Sequence, residues 1–153
     1  MFIKRMNKKG VTLIELVVVF VIIAIGAVLL VPNIGAWLPN YRLRGATRDI
    51  ASTMRVAQMK AVSSNLEYRV SFANPSFWLE RGDQSSGSTN WTTEGAIQIL
   101  PTGITMSGSL DGSNAHFNTN STCSSGSLIL RNTKGTQRTL TLTTSTGRVK
   151  IID

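Results

Sequence analysis

The sequence predicts an α+β fold: one long N-terminal α-helix, membrane-spanning in its first half and packed on an antiparallel β-sheet in its second. Three observations carry that expectation. From Val11 to Val31 the only charge is Glu15, and at helical rise this run is about 30 Å long, the thickness of a bilayer's hydrocarbon core. From Leu43 to Ala61 apolar residues recur three or four positions apart. From Leu66 onward the period falls to two.

Ahead of the apolar run sit Lys4, Arg5, Lys8 and Lys9, a basic flank of the kind that stays on the cytoplasmic side. Arg42, Arg44 and Arg48 lie beyond the run and partly balance that flank, but the leading cations are closer to it. The run exceeds the apolar core of an ordinary removable signal peptide, and no convincing small-x-small site follows. Glu15 is the anomaly, because a lone carboxylate in hydrocarbon costs a few kcal/mol. It becomes tolerable by reaching the headgroups or by meeting a cation from another molecule.

Pro32, Gly35 and Pro39 predict a kink or a melted turn between Val31 and Asn40, since each proline removes an amide donor and crowds the carbonyl four residues back. Trp37 and Tyr41 in this stretch suit a bilayer interface or a packing contact between subunits. Helix is expected again from about Asn40 to Ser64. There Leu43, Ala46, Ile50, Met54, Ala57 and Ala61 form one stripe of mostly small residues, suited to close approach of a sheet. Arg44, Arg48 and Arg55 fall away from it, as a solvated face or an inter-subunit contact.

Leu66 to Phe72 alternates as a strand, with Tyr68, Val70 and Phe72 on one side and Glu67, Arg69 and Ser71 on the other. Asn74-Pro75-Ser76 is a turn, and Phe77 to Arg81 returns. Gly82 to Asn90 is a polar loop; Trp91 and then Ala96 to Leu100 make another strand, and Ile104 to Ser107 a short one. Gly108 to Asn114 is turn material, and Phe117 leads into a second polar loop, Asn118 to Ser125. The chain then closes as a meander of Ser127 to Arg131, Arg138 to Thr143 and Arg148 to Ile152. Pairing Leu142 with Val149 sets Leu140 opposite Ile151, and pairing Leu130 with Leu140 sets Leu128 opposite Leu142. Every apolar residue except Ile129 and Ile152 then faces the helix.

Two groups of residues in this reading resemble a known family. Lys8-Lys9-Gly10-Val11-Thr12-Leu13-Ile14-Glu15-Leu16 and the apolar run behind it are similar to the class III signal of type IV pilin-like proteins. The resemblance implies cleavage between Gly10 and Val11 by a prepilin peptidase and N-methylation of the new Val11 amine. Glu15 matches the family's glutamate at the fifth mature position and Pro32 its helix-breaking proline at the twenty-second, and a freed Val11 amine in a neighbouring subunit would serve as the cation that Glu15 needs. Val11 departs from the usual phenylalanine or methionine. Further on, Arg55-Val56-Ala57-Gln58-Met59-Lys60-Ala61 before an alternating strand, and Gly147-Arg148-Val149 before the last one, resemble the GspH/FimT family of minor pseudopilins and minor pilins. The implied organisation is a prepilin leader over 1–10, a transmembrane and filament-core helix over 11–31, and a pilin-like periplasmic domain over 32–153. The implied role is that of a structural minor subunit of a type II secretion pseudopilus or a type IV pilus, held in a bacterial inner membrane. Its implied partners are the other pilins or pseudopilins of the filament, the prepilin peptidase and the membrane.

Composition narrows the remaining chemistry. Net charge is +8, but removing residues 1–10 leaves twelve basic and eight acidic residues, a mild +4 that does not by itself signal nucleic acid. The alternative function is nonetheless DNA binding in uptake, as FimT-like resemblance permits, through Arg131, Arg148 and Lys150 on one outward sheet face. No aromatic residue interleaves with that patch. No catalytic constellation, metal-ligand spacing or cofactor fingerprint emerges, so neither an enzyme nor a metal site is expected. His116 stands alone and reads as a surface or edge residue, Asp83 and Asp111 read as turn formers, and the single cysteine, Cys123, reads as a small buried hydrophobe. Asn120-Ser121-Thr122 has the form of a glycosylation sequon.

Overall fold

A computed structural model describes residues 10–152, with the side chains of 29–34 and 36 outside the description. Two compact units divide at Trp37 and Leu38. A single helix, α1 (Leu13–Ser64), runs in both. No melted turn separates Val31 from Asn40: helix continues through Pro32, Gly35 and Pro39. A proline deletes one ladder bond, which a helix of this length absorbs without a break in its assignment.

In the first unit the described large apolar side chains are exposed. Leu13 is 82% exposed, and Phe20, Ile22 and Ile25 are likewise in the open. In the second unit the predicted stripe is the core. Leu43, Ala46, Ile50, Met54, Ala57 and Ala61 are all buried, joined by Ala51 and Thr47, whose hydroxyl donates to the Leu43 carbonyl at 2.7 Å.

The strands are β1 (Tyr68–Ala73), β2 (Ser76–Gly82), β3 (Trp91–Ile99), β4 (Ile104–Gly108), β5 (Asn114–Phe117), β6 (Gly126–Asn132), β7 (Gln137–Thr143) and β8 (Arg148–Ile152), with a short 3-10 turn at Asp111–Ser113. They form two antiparallel sheets rather than one, ordered β3-β2-β1-β5 and β4-β6-β7-β8. The split is made by β5, which returns to β1 with Phe117 opposite Tyr68, while β4 leaves to pair with β6. One core holds the helix stripe together with Tyr68, Val70, Phe77 and Phe117 from the first sheet and Leu128, Leu130, Leu140, Leu142 and Val149 from the second.

Register in the second sheet is half as expected. Leu142 faces Val149 and Leu140 faces Ile151. Between β6 and β7, however, Leu128 rather than Leu130 faces Leu140, a slip of two residues. The turn decides it. Gly135 takes a positive φ of 81°, and the Asn132 side chain accepts from the amides of Lys134 and Thr136, closing a loop of three residues between Asn132 and Thr136. A slip of two keeps every side chain on its own face, so burial cannot distinguish the two registers and turn chemistry does. Ile129 and Ile152 are the residues turned from the core, as expected.

Candidate functional site

The start of α1 is a capped helix end. Thr12 lies just before it, accepts from the Glu15 amide through its hydroxyl at 3.3 Å, and accepts from the Leu16 amide through its carbonyl. Glu15 therefore sits in the first turn, where the positive end of the helix favours a carboxylate. The spacing Thr12-x-x-Glu15 is a capping-box pattern that sequence reading had within reach and that gives the glutamate a local reason as well. Gly10 and Val11 lie outside the helix, with Val11 71% exposed. The leader residues 1–9 lie outside the description, and so does the Pro32 side chain. Among the described residues no helix is long and apolar enough to cross a membrane; the apolar run continues into 29–31, beyond the described side chains.

The three cations singled out at the C-terminus are all exposed, Arg131 on β6 and Arg148 and Lys150 on β8. Register puts Lys150 level with Thr141 and Ser127, four residues along β6 from Arg131. Arg131 is thus roughly 16 Å from Lys150 at ordinary strand spacings, and it donates to Gln137 at 3.2 Å. A nearer neighbour comes from the helix: Arg55 and Gln58 line an open cleft of about 480 Å³ with Arg148, Val149, Lys150 and Ile151. Gly147, before β8, takes a positive φ of 60° and lies so close to the Gln58 carboxamide and the Ser121 carbonyl that any side chain would overlap them. Gln58 also donates to the Ser121 and Thr146 carbonyls, tying helix, loop and hairpin together beneath the cleft.

A second polar cluster lies on the first sheet. Glu80 is 9% exposed and accepts from Arg69 at 2.5 Å, Ser71 at 2.6 Å and the Trp78 indole at 2.9 Å. Burial alone would raise its carboxyl, but the Ser71, Trp78 and Arg69 donors hold it below the ordinary carboxylate range. Arg69 in turn lies 4.2 Å over the Trp91 ring, which meets His116 edge-on. Burial and the Arg69 charge lower the His116 pKa, favouring the neutral imidazole. Among the described residues no group of three or more His, Cys, Asp or Glu side chains is placed to hold a metal ion.

Residues 5–31 match the family profile described as the prokaryotic N-terminal methylation motif. No curated protein matches the sequence. Among solved structures, the chain is similar to the minor pseudopilin EpsH of the type II secretion system of Vibrio cholerae, with a TM-score of 0.58 and 10% identity over 72% of this chain and 96% of that one. It is also similar to the type IV minor pilin FimU of Pseudomonas aeruginosa, with a TM-score of 0.53 and 13% identity over 74% of this chain and 90% of that one. The chain is pilin-like in motif and in fold.

In this pilin-like chain the remaining singled-out residues are local structure. Cys123 is buried and free, and burial raises its thiol pKa, which makes it a poor nucleophile. Asp83 accepts from the Asn90 amide and side chain, closing its loop. Asn120 accepts from the Thr122 amide and hydroxyl. His116 belongs to β5, at the edge of its sheet. Sequence reading missed the Glu80 cluster. Its signal was present, because folding the hairpin about Asn74-Pro75 brings Arg69 directly opposite Glu80.

Proposed function

We propose that this protein is a structural minor subunit of a type II secretion pseudopilus or a type IV pilus. A prepilin peptidase cuts between Gly10 and Val11, the Val11 amine is methylated, and residues 11–31 hold the chain in a bacterial inner membrane until it enters the filament. The globular domain then lies on the periplasmic side. The observation that carries the reading is the first unit: a run of apolar side chains exposed almost to a residue, opening on a capped acidic turn, within the matched methylation motif. Such a surface needs a lipid or protein environment. Glu15 is the one acid there, and a neighbour's freed amine would neutralise it.

The test is made in a host with a prepilin peptidase and its filament proteins. Intact-mass measurement should show loss of residues 1–10 and one added methyl, and an intact leader would overturn the reading. Glu15→Ala should stay in the membrane fraction, because a charge has left the bilayer, yet co-purify with the filament subunits at a small fraction of the wild-type level. Unchanged co-purification would remove Glu15 from assembly.

A second reading, DNA binding during uptake, draws on the exposure of Arg131, Arg148 and Lys150 on one sheet face. Neutralising all three would flatten the salt dependence of duplex binding by about 0.9 log unit for each phosphate that a cation no longer meets. No mobility shift at tens of micromolar protein, about where non-specific binders register, would reject it.

A further inference from the structure

We propose that the free edge of β8, with Arg55, Arg148 and Lys150 around it, is a docking edge for an acidic, extended peptide segment of another subunit. Two independent features meet there. The first is backbone. β8 is the terminal strand of the β4-β6-β7-β8 sheet, so every second amide and carbonyl from Arg148 to Ile152 points away from β7 with no strand to receive it. The second is charge. The cleft beside that edge is walled by Arg55 from the helix and by Arg148 and Lys150 from the strand itself. The ion pairs Lys60–Glu94 and Arg69–Glu80 lie elsewhere, and among the described residues no carboxylate pairs with these three cations.

Cations on an edge strand by themselves discourage pairing, because a neutral or basic strand would have to desolvate or repel them. They also select. A strand with carboxylates at alternate positions removes the repulsion and gains charge-assisted hydrogen bonds, which turns the same residues into a specificity device. The backbone requirement favours peptide over nucleic acid. A strand offers donors and acceptors in alternation and can satisfy both kinds of free group on β8, whereas a phosphodiester chain offers its acceptors to the amides and nothing to the carbonyls. The floor is already rigid, since Gln58 and Gly147 lock the β7–β8 hairpin to the helix. The other sheet's terminal strand β3 is longer and exposes Ile97 and Ile99, but its one charge, Glu94, is engaged by Lys60 and Tyr68, so nothing there selects a partner.

The partner's identity as a subunit rests on the filament reading, but the surface is tested separately. The full chain in detergent micelles is titrated into a fluorescein-labelled octapeptide of alternating glutamate and valine, followed by anisotropy, with amide hydrogen exchange read across residues 148–152. Binding below about 1 mM is expected, with exchange slowed in 148–152. Affinity should drop about tenfold or more in the triple variant Arg55→Gln, Arg148→Gln, Lys150→Gln, and should be unchanged in Arg44→Gln, Arg48→Gln, which neutralises the same helix away from the cleft. The glutamine-for-glutamate peptide should bind at least about tenfold more weakly. Absence of binding, indifference to the triple substitution, or binding without slowed exchange in 148–152 would each overturn the proposal. So would tighter binding of a 20-base-pair duplex that protects the same amides, which would assign the cleft to phosphates. Failure of peptide binding with normal processing and co-purification would reject this edge and leave the filament reading standing; the reverse result would do the opposite.

Discussion

The two halves of α1 both carry apolar residues and expose them in opposite ways. Between Leu13 and Val28 valine, isoleucine and leucine dominate and nearly all are exposed; between Leu43 and Ala61 the apolar residues are fewer and smaller, and the stripe is buried almost completely. The difference lies in pattern as well as in hydrophobicity, since the first segment carries one charge, Glu15, and the second five. An all-round apolar helix offers no face to a sheet and needs an apolar surround, while a striped one fits a single partner and leaves its other sides to water. One half therefore leaves its apolar surface open, and the other is covered by its own chain.

The sharpest way to break that comparison is one substitution in each half. Ile50→Ala removes a side chain with no exposure from the core and should destabilise the globular domain by about 2–5 kcal/mol. Ile22→Ala, at a position 64% exposed, should leave the domain's unfolding midpoint where it was. Urea unfolding followed by tryptophan fluorescence reads both, since Trp78 and Trp91 lie in the sheet. An equal loss from Ile22→Ala would mean that the first half is packed into the domain after all.

Much of the second half was legible because burial leaves a period in the sequence. The stripe, the limits of most strands and the β7–β8 register all followed from which residues must face inward. What burial does not encode was missed. The β6–β7 slip of two preserves every face and was set by Asn132 and Gly135. The division into two sheets depends on Phe117 finding Tyr68 across nearly fifty residues, and a long-range pairing of four residues carries no periodic mark of its own. The melted turn expected as one alternative at Pro32 and Pro39 gave a local steric rule priority over a helix that runs through both. At the N-terminus the motif spanning Gly10 to Val31 was legible in the sequence, whereas the cleft at β8 needed the fold to bring Arg55 beside Lys150.

A middle-sized effect is expected where helix and hairpin meet. Gly147→Ala forces a side chain into a left-handed backbone and against the Gln58 carboxamide and the Ser121 carbonyl, at a cost of about 2 kcal/mol. Gln58→Ala clears the carboxamide but forfeits its bonds to the Ser121 and Thr146 carbonyls and leaves the backbone strain, so adding it should recover little of the fall in melting temperature. Full recovery would show that space alone, and not conformation, demands glycine there.

The smallest effect separates charge from packing in the globular half. Glu80 is held below its ordinary pKa in the fold, so its contribution is complete above the unfolded value near 4.5 and disappears as pH falls through the folded one. Glu67, its carboxylate accepting from the Gly87 and Ser88 amides, acts in the same direction and in the same window. Glu80→Gln keeps the shape and one acceptor oxygen but removes the charge opposite Arg69, which should cost roughly 1 kcal/mol at neutral pH. Below pH 4.5 the unfolded chain takes up its proton before the folded carboxyl does, so the two proteins should converge in stability as acid is added, with the variant showing the shallower slope. Denaturant midpoints measured at neutral pH and at several more acidic values test this. Parallel curves would mean that Ser71 and Trp78 hold the neutral acid as well as the carboxylate, and that the cluster on the first sheet is kept together by geometry rather than by charge.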